Sequence, residues 1–128
     1  MLTPTKLKST QVGPTRIRLL TEQGGKCALC KLPCTAAQAV LDHDHDTGAV
    51  RAALHRSCNA VLGKVENGAV RYCVPNLVAF GSGLGEYLRS HQVNITGLIH
   101  PLHRTPEEKR LLRNKRARAK RAKAKESP

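Results

Sequence analysis

Large aromatic side chains are nearly missing from this sequence: 128 residues hold no Trp, one Phe and two Tyr. A chain this short makes one small domain with extensions, not two separate cores. A core that poor in large apolar side chains also buries little surface, so some other staple is expected. Long apolar runs are missing too: nothing approaches the roughly 18 residues that cross a bilayer, so no membrane role is expected. The start, Met1-Leu2-Thr3-Pro4-Thr5-Lys6, lacks the apolar stretch of a secretory leader. The expected setting is therefore intracellular and reducing, where thiols hold metal more often than they pair. Acid is scarce, with nine Asp and Glu against 22 Lys and Arg, a formal net charge of +13. Such an excess attracts polyanions, and nucleic acid is the commonest of them.

What is present is five Cys and six His. An odd cysteine count suits a metal site better than a disulfide framework. The chain reads as four segments: a flexible N-terminal arm (1–13), a core holding the chemistry (14–75), a helical support (76–104) and a basic tail (105–128). Thr15 to Gln23 has helical apolar spacing through Ile17 and Leu20, and Gly24-Gly25 stops it. Val40-Leu41 and Ala49-Val50 flank Asp46-Thr47-Gly48, the pattern of two short strands and a turn. Ala60, Leu62 and Val65 fit a helix from Asn59 that ends near Asn67-Gly68. A further helix opens near Pro75, with Leu77, Phe80, Leu84 and Leu88 on one face and Gly81, Gly83 and Gly85 weakening it. The fold class expected is small α+β: a ββα unit with helices around it.

Cys27-Ala28-Leu29-Cys30 has the two-residue gap by which one tight turn supplies two corners of a zinc tetrahedron. His55-Arg56-Ser57-Cys58 repeats that gap. The expected set is Cys27, Cys30, His55 and Cys58, with Cys34 or Cys73 as the alternatives for the fourth place. Four protein ligands leave no open position, so this metal is structural. Zinc held in this way supplies about 10–16 kcal/mol of apparent binding energy, more than such a core offers by itself.

Between the two pairs stands Leu41-Asp42-His43-Asp44-His45-Asp46. Alternation along a strand places Asp42 and Asp44 on one face and His43 and His45 on the other. Carboxylates suit a hard ion such as Mg²⁺, and a neutral imidazole takes a proton from water near neutral pH. A solvated polar turn, or a second zinc site through His43 and His45, would use the same residues.

Three motifs occur in order: Cys27-x-x-Cys30; Leu41-Asp42-His43-Asp44-His45-x-Thr47-Gly48-x-Val50-Arg51; and Leu54-His55-x-x-Cys58-Asn59. Together, over roughly residues 15–70, they resemble the recombination endonuclease VII family of phages, which belongs to the His-Me finger, or ββα-metal, nucleases. The resemblance implies Mg²⁺- or Mn²⁺-dependent hydrolysis of DNA phosphodiester bonds, at branched DNA such as Holliday junctions, beside a structural zinc. It implies Asp42 and Asn59 as ligands of the catalytic ion, His43 as general base, and His45 as an assisting group that positions the phosphate. It also implies Cys27, Cys30 and Cys58 as zinc ligands. His55 departs from the four-cysteine version of the pattern, and Ala52 stands where Gly often follows the Val-Arg pair. A homodimer, and a phage-encoded enzyme in the host cytoplasm, are implied in the same way. A less selective nicking enzyme of this class, a zinc-dependent DNA-binding module and a basic accessory protein are the rival functions.

Thr105-Pro106-Glu107-Glu108 is a helix start, with a capping Thr, Pro at the first position and acids in the first turn. Ten of the seventeen residues from Lys109 to Lys125 are basic, with Leu111 and Leu112 the sizeable apolar ones. Lacking a face to bury, that stretch is expected to fray. Its charge suits a phosphate-gripping arm that does not read sequence. Lys64 and Arg71 are further candidate DNA contacts.

Overall fold

In the computed structural model, which describes residues 3–127, the elements run α1 (Ser9–Glu22), β1 (Ala39–His43), β2 (Val50–His55), α2 (Arg56–Arg71), α3 (Leu77–Ser90) and α4 (Pro106–Glu126). The class is small α+β, with the expected ββα unit formed by the antiparallel pair β1–β2 and the helix that follows it. The chain divides into two compact units, Met1–Ser82 and Gly83–Pro128.

In the first unit α1 and α2 both pack on the hairpin. The core is Leu20, Cys27, Cys34, Ala39, Ala53 and Leu54, with Leu19, Ala28, Ala52, Cys58 and Leu62 partly buried against it. Two cysteines and two alanines in a core of six confirm how little apolar volume is available.

Helix α1 begins six residues before the Thr15 start that Pro14 suggests, and Pro14 lies inside it. Proline removes a helical N–H and crowds the carbonyl four residues back, here that of Thr10, which is exposed. The Gln11 side chain accepts the Lys8 N–H at 2.7 Å and ties the helix start down. At the other end Gly24 and Gly25 both sit at φ +70°, a left-handed conformation open to glycine and costly for other residues. Their N–H groups return to Thr21 and Leu20. Gln23 then joins helix to sheet: its Nε2 donates to the Lys26 and Ala53 carbonyls at 2.8 Å each, and its Oε1 accepts the Ala53 N–H at 2.9 Å.

The hairpin pairs Ala39 with His55, Val40 with Leu54 and Leu41 with Ala53, then shifts so that His43 faces Val50. Asp42 therefore stands opposite two residues, Arg51 and Ala52. Such a bulge bends the strand and re-aims side chains, and here it brings Arg51 alongside Asp42. At the tip Asp44 Oδ1 accepts the N–H groups of Asp46 and Thr47 at 2.9 Å, and Gly48 takes φ +76°. Asp44 is thus a turn-forming side chain.

Helix α2 starts at Arg56, immediately after β2, and runs through Gly68 to Arg71, longer than the Asn59–Gly68 stretch expected. A glycine inside a helix costs only about 1 kcal/mol, and the stop is instead Cys73, which turns left-handed at φ +53° and is exposed.

In α3 the Asn76 side chain accepts the Ala79 N–H at 2.9 Å, so the helix opens just after Pro75. Helix α4 has the expected cap: Glu108 N–H donates to Thr105 Oγ1 at 3.2 Å, and Thr105 N–H donates to Glu108 at 2.7 Å. The frayed tail expected beyond it is instead helical to Glu126, with no buried residue. Ala, Arg, Lys and Leu are the strongest helix formers, and local propensity with a good cap carries the segment without a packed face.

Candidate metal centre and active site

The knuckle carrying Cys27 and Cys30 closes through two backbone bonds, Lys31 N–H to the Cys27 carbonyl and Cys27 N–H to the Leu32 carbonyl. The end of β2 and the first turn of α2 bring His55 and Cys58 against it. One ligand atom from each of Cys27, Cys30, His55 and Cys58 lies within 4.8 Å of the others. His55 Nδ1 is 3.3 Å from Cys30 Sγ and 3.9 Å from Cys58 Sγ. A tetrahedral zinc with ordinary bond lengths sets sulfur and nitrogen ligands about 3.5 Å apart, so the cluster can hold a structural zinc.

Three further features favour that use. The Pro33 carbonyl, which can only accept, lies 2.9 Å from His55 Nε2. The ring proton therefore sits on Nε2 and leaves the Nδ1 lone pair facing the cysteines, a common outer-shell arrangement for ligating histidines. Cys27 is fully buried, which by itself pushes its thiol up, yet backbone N–H groups of Cys30, His55 and Leu29 bring it down to about 6. Burial raises Cys58 to about 11, and the sulfurs of Cys30 and Cys27 beside it add to the effect, so a cation is what would let both be thiolates together. Cys34 is buried, and its Sγ points to the Thr35 carbonyl at 3.7 Å; Cys73 is exposed. Neither joins the cluster.

Asp42 is 5% exposed. Arg51 grips both of its oxygens, Nε to Oδ2 at 2.6 Å and Nη2 to Oδ1 at 3.1 Å, while Nη2 also reaches Glu66 Oε1 at 2.8 Å. Those two carboxylates hold the guanidinium firmly charged. Asp42, Asn59 and His45 line one cavity of about 420 Å³, together with Asp44, Asp46, Arg51, Lys64 and Glu66. Four carboxylates against Arg51 and Lys64 leave it formally at −2, inside a chain of +13. Oxygen donors in an acidic hollow fit a hard divalent cation, and the guanidinium on Asp42 already marks a cation's place there.

His43 is on the other side of the strand, lining a groove of about 1120 Å³ with Lys6, Arg18 and Arg51. The two faces are not isolated: His43 and His45 stack with ring centroids 4.8 Å apart. The hairpin turn thus brings Asp42, His45 and Asn59 into one cavity and leaves His43 in the adjoining groove, touching it through His45. Arg51 and Glu66 are what sequence reading missed. Arg51 stood in the motif without a role, and Glu66 lies two helical turns beyond Asn59, the single acid between Asp46 and Glu86.

Among curated proteins no match to the chain is found. The sequence model of the recombination endonuclease VII family does match, over residues 5–81. That span is well over half of the chain and contains the zinc-type cluster, the hairpin and Asn59 on α2. The chain therefore belongs to the recombination endonuclease VII family, a family of nucleases.

Proposed function

We propose that this protein is a divalent-metal-dependent endonuclease that hydrolyses DNA phosphodiester bonds at branched structures such as Holliday junctions. The observation that carries the reading is the acidic cavity joining buried Asp42 to Asn59 in an otherwise cationic chain. Asp42 and Asn59 would hold Mg²⁺ or Mn²⁺ through a carboxylate and an amide oxygen. When bound, the ion supplies neutralisation of the charge that builds on the phosphate and the departing oxygen.

The remaining work falls to the chain's own groups. The scissile phosphate sits at the border between the cavity and the groove, where His45 and Arg51 stand. His43, on the groove side, takes the proton from the attacking water; His45 steadies the His43 ring by stacking and positions the phosphate. Lys6 and Arg18 in the groove, and Lys64 at the cavity rim, grip neighbouring phosphates without reading bases. The zinc takes no part in the chemistry and holds α2 against the hairpin, which fixes Asn59 relative to Asp42. Branch selectivity calls for two strands cut together, hence for a homodimer.

The test is to incubate the zinc-loaded protein with Mg²⁺ and a synthetic four-way junction beside a linear duplex of the same sequence, and to map the cuts. Paired cuts near the branch are expected. Equal cutting of both substrates would make the protein a general nicking enzyme, and no cutting with Mg²⁺ or Mn²⁺ would leave a DNA-binding module.

A further inference from the structure

We propose that Arg51 is a resident counter-ion of Asp42 which a divalent cation must displace, and that Glu66 retains the guanidinium after displacement. The proposal rests on the reading of Asp42 as a ligand of the catalytic ion.

A carboxylate as enclosed as Asp42 is costly to keep charged without a partner. Arg51 meets that need with two charge-assisted hydrogen bonds in the fork geometry that suits a carboxylate. The same bonds engage both oxygens that a metal ion would use. A dication bound at Asp42 would face a guanidinium in the same hollow, so the two cations oppose each other's occupancy. Arg51 and the ion are competitors for one ligand.

Glu66 makes the exchange feasible. Asp42's side chain is 6% exposed, but those of Arg51 and Glu66 are 35% and 30% exposed, so the guanidinium lies at the solvent side of the pair. Nη2 is already shared, at 3.1 Å from Asp42 and 2.8 Å from Glu66. Rotation about the outer torsions of Arg51 can carry Nε off Asp42 while Nη2 stays on Glu66. The guanidinium then keeps a carboxylate partner throughout, and Asp42 passes from one cation to another without standing charged and alone. The bulge opposite Asp42 is what positions Arg51 for this exchange.

The two side chains therefore have opposite effects on cation affinity. Binding of Mn²⁺ to the zinc-loaded full chain, read from the free-Mn²⁺ paramagnetic resonance signal, separates them. Arg51→Met should tighten Mn²⁺ binding by about tenfold, the factor that one competing ion pair of ordinary strength represents. Arg51→Lys, which keeps a charge but loses the fork, should tighten it less and serves if the Met variant fails to fold. Glu66→Gln should weaken binding, because Arg51 is left with Asp42 alone. Weaker or unchanged binding in the Arg51 variants would overturn the proposal and make Arg51 an orienting group for Asp42. Asp42→Asn separates the two levels: if it abolishes Mn²⁺ binding while the Arg51 variants gain nothing, only the exchange fails. If it leaves Mn²⁺ binding intact, the ligand assignment itself falls.

Discussion

His55 Nε2 lies 2.9 Å from the Pro33 carbonyl, and this contact decides which face of the imidazole is offered to the cysteines. With the proton fixed on Nε2, Nδ1 is the atom free to bind a metal ion. A Cys at position 55 would present its sulfur closer to the backbone but from the same strand end. His55→Cys is therefore expected to keep one zinc per chain, while His55→Ala, Cys30→Ala and Cys58→Ala lose it and the fold with it. Cys34→Ala and Cys73→Ala should keep the metal. Zinc content by elemental analysis, with far-ultraviolet circular dichroism before and after prolonged chelation, checks all of these. A chain that keeps its melting curve without zinc would show that the six-residue core suffices.

Acid should release the zinc, and the sign follows from Cys27. Its thiol is buried, which opposes ionisation, but the N–H groups of Cys30, His55 and Leu29 outweigh burial and bring it to about 6 from the ordinary 9.0. A folded-state value below the unfolded one stabilises the fold fully above the unfolded value, and that stability is lost as pH falls through about 6. Zinc release, followed with a chromogenic indicator, is expected to set in on the acid side of about 6 and to coincide with unfolding. Release already at pH 8 would show that the N–H groups do not hold the thiolate.

Much of this was legible in the sequence, for reasons that differ by residue. The Cys and His pairs are local, each spanning one turn, so spacing alone points to the cluster that Cys27, Cys30, His55 and Cys58 form. Gly24-Gly25 and Gly48 punctuate the chain because their φ values demand glycine. What spacing does not carry is the shift of register between Leu41 and His43, which depends on the whole hairpin. That one extra residue decides that Arg51 joins Asp42. Strict alternation sorted the acids and histidines of β1 onto two faces, but beyond His43 the turn carries His45 round to the Asp42 cavity. Helix boundaries at Ser9 and Arg71 were missed because Gly68 is tolerated inside a helix at about 1 kcal/mol and because α1 accepts Pro14 in its interior, where proline ordinarily costs about 3 kcal/mol.

Loss of the proposed chemistry should be separable from loss of the fold. Asp42→Asn keeps the size and shape of the side chain but removes the charge and turns one of the two oxygens that accept from Arg51 into a donor. His43→Ala removes an exposed ring that no core residue needs. Each should lower junction cleavage by at least about a hundredfold, the lower range for loss of a proton-transfer group. Zinc content and melting temperature should stay near those of the parent for His43→Ala. Cleavage within twofold of the parent in either variant would remove that residue from the mechanism.

Gln23 is expected to matter more than an uncharged surface residue usually does. Its amide makes three hydrogen bonds that join the end of α1 to Lys26 and to both backbone groups of Ala53. Gln23→Ala leaves the buried Ala53 N–H without its side-chain acceptor, while the Ala53 carbonyl keeps the Ala28 N–H and the exposed Lys26 carbonyl turns to water. One lost partner sets a cost of about 1–3 kcal/mol. Denaturant unfolding of the zinc-loaded protein measures it. A change below a few tenths of a kcal/mol would mean that water replaces the amide without loss.

The tail offers the sharpest electrostatic test, because α4 carries charge without a buried residue. Ten of the 22 basic residues lie beyond Thr105, and each phosphate they neutralise adds about 0.9 to the slope of log affinity against log salt. Removing residues 105–128 should therefore weaken DNA binding and flatten that slope by several units. Single-turnover cleavage at saturating protein should be unchanged, since Asp42, His43 and Asn59 all lie in the first compact unit. Fluorescence anisotropy on a labelled junction across a salt series gives the slope. Were it to stay as steep as that of the full chain, the grip on DNA would have to come from the groove around Lys6 and Arg18 instead.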